Sequence, residues 1–157
     1  RMRAAGRSVS FDPNLRPRLW PSPEAMRHHL QRLAALADWV LPGLAEGQLL
    51  SGRREPAEVA RFFLDQGVKA VAIKLGAQGA YVAGEGFEGV VPGLPVARVV
   101  DTVGAGDGFA AGFISARLEG RSAAEAAARG NWVGAQAIQS AGDMDGLPRR
   151  SAMPAGL

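Results

Sequence analysis

Asp101-Thr102-Val103-Gly104-Ala105-Gly106-Asp107 concentrates the residue types that could handle a phosphate. Val96 to Val100 reads as a strand and Asp107 to Leu118 as a helix, so the glycines fall in a strand-to-helix turn. The start of a helix offers free N–H groups and the positive end of its dipole, and both attract anions. Gly104 and Gly106 remove side chains that would block a phosphate, and they admit positive φ. Two named phosphate motifs do not fit. A Walker A loop needs Gly-Lys-Ser/Thr, which is absent, and a dinucleotide fingerprint needs a third glycine where Phe109 stands. What remains is a carboxylate, Asp107, at an anion-binding helix start. Beside bound phosphate a carboxylate is costly unless it does chemistry, and taking a proton from an attacking hydroxyl is such chemistry. The plain alternative is a tight turn in which Asp107 only caps the helix.

The elements that must position this turn follow from periodicity. Val9 to Phe11 is a short β-type run closed by Asp12-Pro13. Ser22-Pro23 opens a helix whose apolar stripe is Met26, Leu30, Leu33 and Ala37. Trp39-Val40-Leu41 is a buried strand, and the loop from Gly43 leads into a short helix that stops near Gly52. Pro56 opens another helix, with Val59, Phe62 and Phe63 facing inward and Gly67 closing it, before the strand Val71-Ala72-Ile73. This rhythm argues for parallel βαβ units. Ala80 to Val82 and Gly89 to Val91 then read as a hairpin around Ala83 to Gly86, its length limited by Pro92. A final helix runs from Ala123 to about Gln139, with Ser122 and Glu125 as a capping box. The expected fold class is α/β, a mostly parallel sheet with helices on both faces.

Composition narrows the function classes. At 157 residues and 47% hydrophobic the chain supports one domain with a proper core. Its net charge of +3 permits an anionic ligand, and no basic run is interleaved with aromatics, so no nucleic-acid partner is expected. The absence of Cys removes a disulfide frame and a thiolate metal site. No apolar run approaches the ~18 residues of a membrane span and no signal peptide is visible, so the expectation is a soluble cytoplasmic protein without a membrane partner. Arg1-Met2-Arg3, with a strand inside the first ten residues, reads as a start in the middle of a domain. Two further classes stay open on the residues alone. One is a dinucleotide-binding oxidoreductase domain, weakened by Phe109; the other is a non-catalytic nucleotide-binding regulator, opposed by the intact Asp107.

The pattern Asp-Thr-x-Gly-Ala-Gly-Asp-x-Phe from Asp101 to Phe109, followed by a small-residue helix, resembles the signature of the PfkB (ribokinase-like) carbohydrate kinases. Agreement runs from about Ser8 to Pro148. The resemblance implies that residues 1–148 are the C-terminal, nucleotide-binding and catalytic half of a PfkB kinase domain, with 149–157 a fraying tail. It implies ATP and Mg²⁺ as cofactors and a sugar or sugar-acid hydroxyl as acceptor. Asp107 would be the base and touch the substrate. Gly104 and the N–H groups of Ala105, Gly106 and Asp107 would form the anion hole, with Thr102 facing the nucleotide phosphates. Asp12 to Trp20 looks like the segment under the phosphoryl path. There Asn14 would touch nucleotide phosphate, and Arg16, whose fork suits phosphate or carboxylate, would touch substrate. Gly43-Leu44-Ala45-Glu46 is similar to an Asn-x-x-Glu element that organises Mg²⁺ through water. Glu46 matches it, and Gly43 departs from the Asn. Lys74, Gly76 and Gly79 resemble a nucleotide-side loop, and Asn131 matches an Asn near the nucleotide base, a solvent-facing position being the alternative. His28 and His29 read as surface residues, and Trp20, Trp39 and Trp132 as packing.

Leu41 to Gly47, Asp12 to Trp20 and Gly142 to Pro148 look most like the branch of the family that acts on the sugar acid 2-dehydro-3-deoxygluconate. Asp143 would then bind a substrate hydroxyl, a turn Asp being the plain reading. Fructokinases share Asp12 to Arg16 and Trp20 and give the second reading. Kinases of this family are longer, and their first half supplies most of the sugar pocket and a lid. By that resemblance this chain alone is expected to lack useful activity, and a homo-oligomer of the full-length enzyme stays open.

Overall fold

Ser22 Oγ accepts the Ala25 N–H at 3.1 Å and Pro23 fills the first helical position, so α1 (Pro23–Ala34) begins where its cap dictates. The computed structural model describes residues 2–142 and 144–157, so the expected substrate contact of Asp143 lies outside the described residues. Met26, Leu30 and Ala34 form the buried face of α1, continued by Ala37, while Leu33 is 49% exposed. The expected stripe through Leu33 is therefore corrected. Each step of four residues drifts about 40° round the helix, and the row from Met26 to Ala34 drifts away from Leu33.

β1 (Ser10–Phe11), β2 (Trp39–Val40) and β3 (Ala70–Lys74) pair in parallel, with Ser10 opposite Trp39 and Trp39 opposite Ala70. The connections are α1 between β1 and β2, and α2 (Leu44–Ser51) with α3 (Pro56–Leu64) between β2 and β3. β4 (Gly79–Gly84) and β5 (Phe87–Pro92) continue the sheet antiparallel, giving the order β1-β2-β3-β4-β5. Glu85 (φ 53°) and Gly86 (φ 85°) make their turn, and two central residues at positive φ match the right-handed twist of the flanking strands. The ladder runs up to Gly84 opposite Phe87, so the hairpin is longer than the sequence suggests.

Alternation along the strands builds two cores. Val40, Val71 and Ile73 face Met26, Val59 and Phe63 on one side. Trp39, Leu41, Ala72 and Val82 face Phe109, Phe113 and Ala126 on the other. Helices thus cover both faces, as expected for an α/β sheet with a parallel core. α4 (Ala105–Leu118) and α5 (Ala123–Ala137) form the second layer. They approach closely because a Cβ on Gly112 would lie 2.8 Å from the Arg129 carbonyl oxygen. The capping box on α5 is present, Ser122 N–H donating to Glu125 Oε2 at 2.9 Å.

Val96 to Val100 is not a strand, which corrects the sequence reading. Val99 and Val100 are 53% and 46% exposed, and the Val100 N–H goes to the Ile138 carbonyl at 2.8 Å. A β-branched run becomes a strand only against a neighbour on a pleated surface, and this one has α5 instead.

Two charged braces lie away from the strand tips. Asp38 accepts the Val9 N–H and pairs with Lys69 at 3.0 Å and Arg3 at 3.3 Å. Burial pushes its carboxyl up, but the Val9 N–H and the two cations outweigh this and hold it below its ordinary value. Arg129, 1% exposed, donates to Glu119 Oε2 and to the Leu157 carbonyl, each at 2.9 Å. Residues 149–157 carry a 3-10 turn at Arg150–Ala152, and Arg150 also pairs with Glu119. Among the described residues no helix is long and apolar enough to cross a membrane.

Candidate active site

The C-terminal tips of the parallel strands gather most of the residues singled out from the sequence. β1 runs into Asp12-Pro13-Asn14, β2 into Gly43 and the start of α2, and β3 ends on Lys74. Gly43 bridges to Lys74, which extends the parallel order by one position. In open α/β sheets ligands bind at this edge.

The first turn of α4 joins them. Gly104 adopts φ 80° as N-cap, and the first intrahelical bond runs from Gly108 N–H to the Gly104 carbonyl at 2.8 Å. The N–H groups of Gly106 and Asp107 precede that bond, so the helix itself gives them no acceptor. Ala105 N–H is partly used, donating to the Thr102 carbonyl at 3.3 Å. Asp107 is exposed at the third helical position, and Thr102 is exposed ahead of the turn. A Cβ on Gly106 would lie 3.4 Å from Lys74 Nζ, so the ammonium lies beside the turn.

Lys74 Nζ is paired with Asp12 Oδ2 at 2.5 Å. Asp12 Oδ1 is buried and has no hydrogen-bond partner among the described residues. Burial pushes the Asp12 carboxyl up from its ordinary value and the Glu46 charge adds to this, while Lys74 pulls it down, with a net rise. Glu46 caps α2 from within: its Oε2 accepts the Gly43 N–H at 2.7 Å and its Oε1 accepts the Leu15 N–H at 2.8 Å. Each carboxylate oxygen keeps a second lone pair for water. The Leu15 loop is held with Asn14 at φ 41°, and Arg16 curls back, Nη1 donating to the Leu15 carbonyl at 3.0 Å. Arg16 and Asn14 are both exposed.

Other predicted residues stand apart. Asn131 is buried rather than solvent-facing, and its Nδ2 donates to the Val91 and Pro92 carbonyls, each at 3.0 Å. Gly79 (φ 100°) leaves room for the end of β5, since a Cβ there would strike the Val91 carbonyl oxygen. Gly76 (φ 62°) opens to solvent space. Two surface hollows of about 570 and 560 Å³, lined around Arg61 and Trp20, include none of the strand-tip residues named above.

Two contributors were missed in the sequence. Asp101 Oδ1 accepts the Val103 N–H at 3.0 Å and its Oδ2 the Gly142 N–H at 3.4 Å, which shapes the turn before Gly104. Asp two residues before an N–H acceptor-seeker is an Asx-turn signal and could have been read. The pairing of Asp12 with Lys74, 62 residues apart, has no local signal.

A family model described as pfkB family carbohydrate kinase matches residues 1–150. The chain belongs to the PfkB family. A 2-dehydro-3-deoxygluconokinase of Bacillus subtilis (strain 168) is 54% identical over 149 residues, covering 95% of this PfkB chain and 46% of that protein. A crystal structure of a PfkB protein from Polaromonas sp. JS666 superposes with a TM-score of 0.80 at 57% identity, covering 88% of this chain and 45% of that one. The fructokinase of Vibrio cholerae O395, in its fructose, ADP and calcium ion bound form, gives a TM-score of 0.86 at 34% identity over 96% of this chain and 51% of that one. This PfkB chain therefore spans about half the length of the relatives it matches.

Proposed function

We propose that this chain is the nucleotide-binding and catalytic part of a kinase that transfers a phosphoryl group from ATP to a hydroxyl of 2-dehydro-3-deoxygluconate. The observation that carries the reading is Asp107, an exposed carboxylate in the first turn of α4, beside helix N–H groups with no intrahelical acceptor, in a turn whose Gly106 lies next to the Lys74 ammonium. The residues fit a nucleotide phosphate with its divalent ion. Position 106 lacks the side chain that would fill the space next to Lys74, and Asp12 and Glu46 supply carboxylates after the neighbouring strands β1 and β2. ATP and Mg²⁺, when bound, supply the phosphoryl group and neutralise its charge. Gly106 and Asp107 N–H hold phosphoryl oxygens, with Gly104 and Ala105 shaping the hole, and Asp107 takes the proton from the acceptor hydroxyl. Lys74, Thr102 and Asn14 would hold the nucleotide phosphates, and Glu46 would support Mg²⁺ through water. Arg16, exposed and held only to its own loop carbonyls, would meet the substrate carboxylate or a phosphate. Gly76 and Gly79 would shape the nucleotide-side loop, and Asn131, which braces β5, would stand near the nucleotide base.

The sugar acid is favoured over fructose by the 54% identity to the Bacillus subtilis protein, against 34% to the Vibrio cholerae fructokinase. The 157-residue chain by itself should show no useful turnover, because positioning of the acceptor is worth several kcal/mol and needs a complete pocket. The test of the substrate is a competition assay on the full-length protein with ATP and Mg²⁺. The expected kcat/KM for 2-dehydro-3-deoxygluconate exceeds that for fructose by at least about tenfold, or about 1.4 kcal/mol. Preference for fructose would move the chain to the fructokinase branch.

A further inference from the structure

We propose that Asp12 is a positioning residue for phosphoryl transfer, holding the Lys74 ammonium against the Gly104–Asp107 turn where a phosphoryl oxygen arrives. The inference rests on the kinase reading above and adds a residue to it. Lysine is a point charge on a flexible four-carbon stem, so by itself it does not fix where its charge stands. Here the stem runs from the end of β3, and Asp12 at the end of β1 holds its tip at 2.5 Å. The two side chains are 17% and 21% exposed, sheltered enough for the pair to keep its geometry where a surface pair would not.

An ammonium beside the positive end of α4 is repelled by it, and Lys74 Nζ lies 3.4 Å from the Cβ position of Gly106. Asp12 offsets the ammonium charge, and a phosphoryl oxygen at the turn would meet both the ammonium and the helix N–H groups. Asp12 and Asp38 use their carboxylates differently. Asp38 spends its carboxylate on the Val9 N–H and on Arg3 and Lys69, as a structural carboxylate does. Asp12 grips Lys74 with one oxygen, while the other is buried without a partner among the described residues.

The experiment is a double-substitution cycle in the full-length protein, assayed with ATP, Mg²⁺ and 2-dehydro-3-deoxygluconate. Lys74→Met should lower kcat about 10²-fold, as removal of one preorganised donor does. Asp12→Asn should lower kcat at least about tenfold, with the sugar KM within about twofold and the melting temperature close to wild type. In the Lys74→Met background Asp12→Asn should cost less than about threefold more, because residues that act through one another are not additive. Asp12→Glu, which keeps the charge, should recover part of the loss, and it carries the test if Asp12→Asn does not fold. An unchanged kcat for Asp12→Asn in an active enzyme would overturn the inference and leave the kinase reading standing. So would the same loss with and without Lys74. Absence of phosphoryl transfer by the unsubstituted protein to either sugar would overturn the kinase reading and this inference with it.

Discussion

Glu46 Oε1 accepts the backbone N–H of Leu15 at 2.8 Å, across 31 residues of sequence. Its other oxygen holds the Gly43 N–H, so one carboxylate ties the loop after β1 to the loop after β2. Leu15 lies between Asn14 and Arg16, and the grip decides where those two stand. Glu46→Ala strands two part-buried donors, and loss of a hydrogen bond to a charged group costs about 1.5–3 kcal/mol. The urea midpoint of the full-length protein should fall and the KM for ATP should rise together. Glu46→Gln keeps a carbonyl acceptor and should fall between. Wild-type stability in the Ala variant would show that the loop needs no such tie.

The contact of α4 with α5 has no room to spare. A Cβ at Gly112 would meet the Arg129 carbonyl oxygen at 2.8 Å and Gly130 Cα at 2.9 Å, and both are backbone atoms that cannot step aside. Gly112→Ala should destabilise by about 1–3 kcal/mol despite its better helix propensity. Chemical denaturation measures this. A stabilised variant would mean the helices separate freely.

Glu119 supplies a pH dependence. Hydrogen bonds from Arg129 and then Arg150 hold its carboxyl at about 2, below the ordinary 4.5. The unfolded chain therefore takes up a proton at a pH where the folded chain stays ionised. The stabilisation is complete above about pH 4.5 and is lost as pH falls through about 2. Melting temperatures of wild type and Glu119→Gln should converge on acidification across that window. A gap that stays constant would remove Glu119 as the source.

Local signals were read from the sequence and long-range ones were not. Ser22-Pro23, the Ser122–Glu125 box and the apolar run Val71-Ala72-Ile73 of β3 act within a few residues, and each stands where expected. Val96 to Val100 had strand composition but no strand to pair with, which composition cannot report. The turn from Gly104 to Asp107 at the start of α4 was legible through its spacing. Asp12 meets Lys74, and Glu46 meets Leu15, only because three strands end side by side. Asn131 was matched by position, yet both contacts of its amide nitrogen are to β5 backbone, a use that no pattern along a helix reveals.

The most direct measurement is the turnover of Asp107→Asn in the full-length protein, with ATP binding followed in parallel by calorimetry. Asn is nearly isosteric, and Asp107 is exposed in the first turn of α4, so the fold should be kept. General-base help is worth roughly 10²–10⁴-fold. The account predicts a loss of kcat in that range with ATP affinity close to wild type. A kcat within about threefold of wild type would contradict it, because the carboxylate at the head of α4 would then have no part in the chemistry.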